Sequence, residues 1–375
     1  MKKFAKMSLV AAIAVAGLTS TATAGSLEEA IKGVNISGFV EYRAEKAVQS
    51  GSDVASEMKH DIDIRLQAVV PVNDMVTATI RFDESQDEDN DSLVGGTTNA
   101  TSINASSLDL QVDRAFFTYM NNGLSVSGGL MGAVLTDGGQ ADGFSVSKTF
   151  NGVSLSAGYQ YTSSPSVIAA DDVTWVAASG TAANIAYNVT YATVVDSASA
   201  DTLGTDLDGS ANALHAGVST TVEGISLSAN YGSRTDMATM ADQTQWKIGA
   251  STTVSGVTLG AEYAKNNQDG GETMLDGSDV AGSEISIGAL ELSKEGDASA
   301  FLLSAAVAVG EKGTAKLRYA SSTSDVANSD RTVIRANYDY QMSSNFKAYL
   351  EYTVNDLDSD TEKASDYVVG AKYTF

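Results

Sequence analysis

The chain has 375 residues, 34 glycines, two prolines, no cysteine and a net charge of −24. The absence of cysteine excludes disulfides and thiolate metal sites. So acidic a balance, with 23 Lys and Arg against 47 Asp and Glu, argues against a nucleic-acid partner, because phosphate contacts need cations.

The first residues carry Lys2, Lys3 and Lys6, then an apolar run from Met7 to about Gly17, then Ala22-Thr23-Ala24. Positive start, short apolar run and small-residue ending predict a cleaved signal peptide over 1–24, leaving 25–375 as one domain. The longest later apolar run, Ala305–Val309, is strand-sized. If this domain enters a membrane, a closed β-barrel is the remaining solution, because lipid leaves no backbone polar group a partner outside the protein.

Period-2 alternation runs almost from end to end. In Val153-Ser-Leu-Ser-Ala-Gly-Tyr-Gln-Tyr161 the odd positions are apolar and the even ones polar or glycine. Because side chains alternate across a strand, one face is apolar and the other polar. The pattern recurs over 225–231 and 257–263, each time after a two-residue X-Gly turn, as Asn151-Gly152 precedes the first. Each repeat ends on tyrosine, as the aromatic girdles of a membrane barrel require.

Short turns are predicted at 71–74, 120–123, 151–152, 180–182, 223–224, 255–256, 310–313 and 342–345. Longer polar segments alternate with them at 44–59, 84–107, 163–171, 196–210, 234–242, 266–297, 322–329 and 355–364, with a shorter one at 136–142. The fold class is therefore all-β: a transmembrane antiparallel β-barrel of about 18 strands, with short periplasmic turns and long extracellular loops. Residues 284–292 also look strand-like and are assigned to a loop.

Parity with the apolar face selects the inward side chains. The first strand offers Glu41 and Arg43, the second Asp61, Asp63, Arg65 and Gln67, and the third Arg81 and Asp83. Late strands add Lys316 and Arg318, then Arg335, Asn337 and Asp339, then Lys347 and Glu351. These are pore-lining candidates, in which opposed charges orient polar solutes. The alternative is a set of paired charges that stiffen the wall. The strand at 108–119 is ambiguous: placing Leu108, Leu110 and Val112 outside puts Arg114 toward lipid. A β-bulge near Asp113 or a subunit interface would resolve this.

The densest acidic run holds Asp87, Glu88, Asp89 and Asp91, candidate calcium ligands by their clustered carboxylates, though without EF-hand spacing. The alternative is a solvated loop facing lipopolysaccharide. His60 begins the second strand, and His215 has inward parity. No nucleophile–base signature accompanies either, so no enzyme is expected and no cofactor is required, apart from the candidate calcium.

The last strand alternates Tyr367, Val369, Ala371, Tyr373 and Phe375. Gly370, Tyr373 and Phe375 resemble the terminal signal read by the barrel-assembly machinery of Gram-negative bacteria. That signal usually has a polar residue where this chain has Val368.

Leu27, Glu28, Glu29, Ala30, Ile31 and Lys32, then Ser37, Gly38, Tyr42 and Arg43, resemble the start of the Campylobacter-type major outer membrane protein family. Leu135-Thr-Asp-Gly-Gly139 is similar to a second segment of it. The resemblance implies a homotrimeric porin of 18 strands with one loop folded inward and with calcium binding. Where that family has an Arg-Gln pair, this chain has Gly129-Leu-Met-Gly132.

Together these readings lead to an expected general diffusion porin in the bacterial outer membrane. It would sit among lipid and lipopolysaccharide and pass ions and small hydrophilic solutes. The acidic excess predicts a mild cation preference. The alternatives are a substrate-specific channel and a surface adhesin or structural β protein.

Overall fold

The structure is a computed structural model describing residues 33–49, 58–84, 110–136, 139–161, 171–196, 210–236, 241–271, 292, 296–325, 330–357 and 363–375. The expected signal peptide, Leu108 and the acidic run 87–91 lie outside the described residues.

The chain forms β1 (Asn35–Gln49), β2 (Lys59–Asn73), β3 (Val76–Glu84), β4 (Leu110–Asn121), β5 (Leu124–Gly132) and β6 (Gln140–Phe150). Next come β7 (Val153–Tyr161), β8 (Asp171–Ala182), β9 (Ile185–Asp196), β10 (Ser210–Val222), β11 (Ile225–Asp236) and β12 (Ala241–Val254). The last six are β13 (Val257–Asn266), β14 (Ser299–Val309), β15 (Gly313–Thr323), β16 (Arg331–Gln341), β17 (Phe346–Leu357) and β18 (Lys363–Thr374). Every strand pairs antiparallel with its sequence neighbours, and β1 pairs with β18 over Phe39–Gln49, so the sheet closes on itself. Closure removes the sheet edges, and strands of 9–15 residues are long enough to cross a bilayer, which takes about 9–11.

The apolar face of each strand points outward. Val40, Leu155, Val176, Ile248, Leu303, Leu350 and Val369 are all exposed there. Near the long-loop end this face carries an aromatic band. Tyr231 stands opposite Trp246, Trp246 contacts Tyr263 at 5.4 Å, Tyr263 is opposite Phe301, and Phe301 contacts Tyr319 at 5.7 Å. Such girdles form where rings meet the boundary between apolar band and water.

Two details differ from or complete the sequence reading. The turn placed at 180–182 lies at Ala183-Asn184, both with positive φ (49° and 67°), the backbone of a two-residue hairpin of the primed type. Gly180 stays inside β8, where a Cβ would come within 2.8 Å of the Tyr187 hydroxyl. In β4, the ladder passes from Arg81↔Arg114 to Phe82↔Val112, making Asp113 the extra residue of a β-bulge. The bulge turns Arg114 to the inner face while Val112 remains exposed outside. Of the strand-like stretch 284–292, only Leu292 is described, and it is not in a strand.

Candidate pore lining

The face of each strand opposite the exposed apolar one lines the inside of the barrel, and most of its bridged charges lie on β15 to β4. From β1 to β4 an Arg–Asp bridge steps from each strand to the next. Arg43 of β1 holds Asp61 of β2, Arg65 of β2 holds Asp83 of β3 at 2.6 Å, and Arg81 of β3 holds Asp113 at the bulge of β4. Asp63, next along β2, stands 3.9 Å from Arg43. Register explains the order: Arg43↔Asp61 and Arg65↔Asp83 are direct cross-strand partners on one face.

Across the β18–β1 seam, Lys372 binds Glu41 at 2.7 Å, and the Tyr349 hydroxyl donates to the same carboxylate at 2.8 Å. On β15 to β17, Lys316 binds Asp339 at 2.8 Å, Lys347 lies 3.9 Å from Asp339, and Arg335 reaches Glu351 at 3.2 Å. Arg318 donates to Asn337 at 3.2 Å, and Asn337 in turn donates to Glu351. All the sequence-selected charged positions thus lie on the inner face and, Arg318 excepted, are linked as ion pairs.

Most of the remaining wall is small and neutral, apart from Arg234 of β11 and the Lys247–Glu262 ion pair of β12 and β13 at 3.3 Å. Across β10 to β14 a groove of about 620 Å³ is lined mainly by hydroxyls and glycines, including Ser219, Ser228, Ser251 and Ser304 with Gly249 and Gly260. Inward rings are few: Phe39, Phe116, Trp175 and Tyr349 fall on separate strands and form no continuous track among the described residues.

Among the described residues, parts of two loop segments lie against the inner face at the long-loop end. After β5, Val134 and Leu135 pack on Val173, Ala192, Val194 and Ala213, which face inward from β8, β9 and β10, with Trp175 alongside. The buried Gln160 of β7 clamps this segment. Its Oε1 accepts from Val134 N–H at 2.8 Å and its Nε2 donates to the Gly132 carbonyl at 2.8 Å. Arg114 reaches the same segment from the other side, donating to the carbonyls of Met131 at 3.4 Å and Gly139 at 3.3 Å. The second segment joins β13 to β14. Its Leu292 is fully buried on inward residues Ala264, Ala300, Leu302, Ala320 and Val333. Asn266 fixes it, donating to the Leu292 carbonyl at 2.7 Å and accepting from Ala298 N–H at 2.6 Å.

The charged strands β17, β18 and β1 to β3 carry no inward segment among the described residues. Parity alone places Lys372 and Tyr349 inside, so the sequence held them. Gln160, Arg114 and Leu292 have functions set by loop packing, which no local pattern announces.

The terminal-strand residues form the seam. Gly370 lies opposite Arg43 and Tyr349 on the inside, whereas Tyr373 and Phe375 are exposed outside. The Phe375 backbone exchanges two hydrogen bonds with Gly38, at 3.0 and 3.1 Å. Val368, at the position usually polar, faces inward between Glu351 and Glu45.

Among the described residues neither histidine pairs with a serine or a carboxylate. His60 bonds the Tyr42 hydroxyl at 2.6 Å on the outer face, and the Nε2 of the inward His215 is buried without a partner. Among the described residues no group of three or more His, Cys, Asp or Glu side chains converges to hold a metal.

No curated protein matches the chain. Solved structures share its fold at low identity. Pseudomonas aeruginosa OccK11 (OpdR) gives a TM-score of 0.62 at 10% identity, over 92% of this chain and 96% of that one. Pseudomonas aeruginosa OccK1 (OpdK) gives 0.61 at 13%, over 91% and 98%. The outer membrane channel DcaP of Acinetobacter baumannii gives 0.50 at 16%, over 91% and 97%. The sequence model of the Gram-negative porin family matches residues 9–374, so this outer-membrane β-barrel belongs to the Gram-negative porin family.

Proposed function

We propose that the barrel is a general diffusion porin that passes ions and small hydrophilic solutes and mildly prefers cations. The observation that carries this reading is the inner face. Outside the two apolar patches that carry the loop segments it is mainly polar, with paired charges on β15 to β3 and, on β10 to β14, hydroxyls and the Lys247–Glu262 pair. Such a surface holds water and gives a polar solute bonds to exchange without a deep well.

Both inward segments rest away from the ion-paired strands β17 to β3, so a solute passes along that charged wall. The segments after β5 and before β14 form the constriction in this reading. The long loops face the exterior and the short turns the periplasm, after export directed by residues 1–24. The likeness of the mature start to the Campylobacter-type major outer membrane protein supports assignment to that subtype and a homotrimer. Gly370, Tyr373 and Phe375 are the handle for the assembly machinery. The scattered inward rings weigh against a substrate-specific channel with an aromatic track.

The test is conductance of the detergent-folded chain in a planar bilayer under a KCl gradient. Large ohmic steps with a reversal potential favouring K⁺ support the reading. A properly folded barrel that gives no steps sinks it, and saturable block by one solute among many replaces it with a specific channel.

A further inference from the structure

His215 is the one histidine on the inner face, since His60, the other of the chain's two, lies outside. Its position ties it to both inward segments. On β10 its inward neighbour is Ala213, 1% exposed in the cluster that seats Val134 and Leu135 of the segment after β5. Across the sheet, His215 is opposite Gly232 of β11, Gly232 opposite Gln245 of β12, and Gln245 opposite Asn266 of β13. Asn266 fixes the second segment at Leu292. One row of the wall thus runs from the foot of one segment to the foot of the other.

The polar groups of this row are left dry. The His215 Nε2 is buried with no hydrogen-bond partner. Gln245 is fully buried, and neither its Oε1 nor its Nε2 has a partner. Gly271, beyond β13, closes over it, because a Cβ there would lie 2.2 Å from Gln245 Oε1. An unmade bond on a buried polar group opposes the arrangement that buries it.

Protonation of His215 would add a charge at this spot. From the strands beside it, Thr190 and Asn188 of β9 and Asn230 and Arg234 of β11 face the ring. Val134 and Leu135 of the segment are uncharged. Arg234 is itself a cation, and further along the wall Lys247 and Glu262 already hold each other at 3.3 Å. The Gln245 oxygen beyond Gly232 carries no charge. Among the described residues, then, no carboxylate stands ready to neutralise an imidazolium here. A buried charge without a counter-ion is strongly disfavoured, so the imidazolium belongs to a state in which water reaches the ring.

We propose that His215 is a pH-sensitive release for the segment after β5: neutral imidazole lies beneath the seated segment, and imidazolium is hydrated only when the segment lifts. Imidazole ordinarily titrates near about pH 6.5, where ordinary carboxylates and arginines keep their charge. Seating is therefore complete on the alkaline side and is lost as pH falls. The release rests on the porin reading only for its effect on current.

The test uses the full chain folded in detergent and checked for heat-modifiable migration. A Trp246→Phe background leaves Trp175 as the only tryptophan. Trp175 lies alongside the seated segment, so acrylamide quenching reads lifting without any current. Between pH 8 and about pH 5.5, on either side of the imidazole range, the quenching constant should rise at least about twofold. His215→Gln should hold it at its alkaline value throughout, and His60→Gln should leave the rise intact. His215→Phe, equally unable to take a proton, serves if His215→Gln does not fold. Planar-bilayer conductance should rise over the same range only where His215 is present. Quenching that ignores pH, or that rises equally in His215→Gln, rejects the release. Quenching that falls in acid also rejects it, because the Gln245 amide would then be holding the imidazolium in place. Ohmic steps without any pH effect on quenching reject the release and leave the porin reading. A pH-dependent quenching in a folded chain that gives no steps rejects the porin reading and leaves the release.

Discussion

Tyr349 and Gly370 interlock on the inner face of the barrel. They are direct cross-strand partners on β17 and β18, and a Cβ added to Gly370 would lie 2.1 Å from Cζ of the tyrosine ring. The missing side chain lets the ring cross β18 and deliver its hydroxyl to Glu41 of β1 at 2.8 Å. One residue type on the last strand thus permits a bond that ties the penultimate strand to the first.

Gly370→Ala is therefore expected to displace the ring, break the Tyr349–Glu41 bond and destabilise the closed seam by about 1–3 kcal/mol, the usual cost of overpacking. Tyr349→Ala alone should cost less, and the double variant should recover much of the Gly370→Ala loss, because the clash needs both partners. The folded fraction in urea, read from heat-modifiable migration on a gel, checks this. Additive losses in the double variant would show that Gly370 acts apart from Tyr349.

Gln160→Ala removes the clamp on the segment after β5 and leaves Val134 N–H and the Gly132 carbonyl without their side-chain partner. Losing each of these half-buried bonds costs about 0.5–1.5 kcal/mol, enough to loosen the segment without unfolding a barrel held by eighteen ladders. Single-channel records should show higher mean conductance and more open-channel noise than the unaltered chain. Unchanged conductance would mean that Val134 and Leu135 hold the segment by apolar packing alone.

Most of the architecture was legible because a barrel repeats two simple signals. Alternation fixed which side chains face inward, so Glu41, Asp61, Arg335 and Glu351 could be placed from parity. Turn chemistry fixed most hairpins, and missed the one at Ala183-Asn184, where two non-glycine residues take positive φ. The bulge at Asp113 was visible only as a conflict, an apolar run that would have put Arg114 in lipid; the structure resolves it with one extra residue. What parity cannot supply is what a loop does after leaving the sheet. Leu292 and Gln160 gain their meaning from contacts made across 26 and more residues of sequence, and neither sits in a pattern that marks it.

Leu292→Ala should release the second inward segment. The leucine is the apolar anchor on Ala264, Leu302 and Val333, and truncating a fully buried leucine costs about 2–5 kcal/mol. That loss falls on the segment, because the strands beneath keep their ladders. Urea stability of the barrel should be nearly unchanged, while limited proteolysis between β13 and β14 speeds up and conductance rises. A barrel that loses global stability instead would make Leu292 part of the wall's own core.

Cation preference should depend on salt, because the two sources of charge differ in screening. Most inner-face charges from β15 to β3 are bridged at close range and contribute little net field. The acidic surplus lies elsewhere: no Lys or Arg occurs between Arg81 and Arg114, a stretch that contains Asp87, Glu88, Asp89 and Asp91. Charges in such a loop act on ions through water, over a Debye length of about 10 Å at 0.1 M salt and about 3 Å at 1 M. The K⁺ to Cl⁻ permeability ratio should exceed one at 0.1 M KCl and fall toward one at 1 M. Replacing the four acids by Asn or Gln should lower the ratio at 0.1 M and leave it nearly unchanged at 1 M. A ratio that ignores salt would locate selectivity in the wall, and a ratio below one at 0.1 M would mean that the unbridged Arg318 outweighs the loop acids.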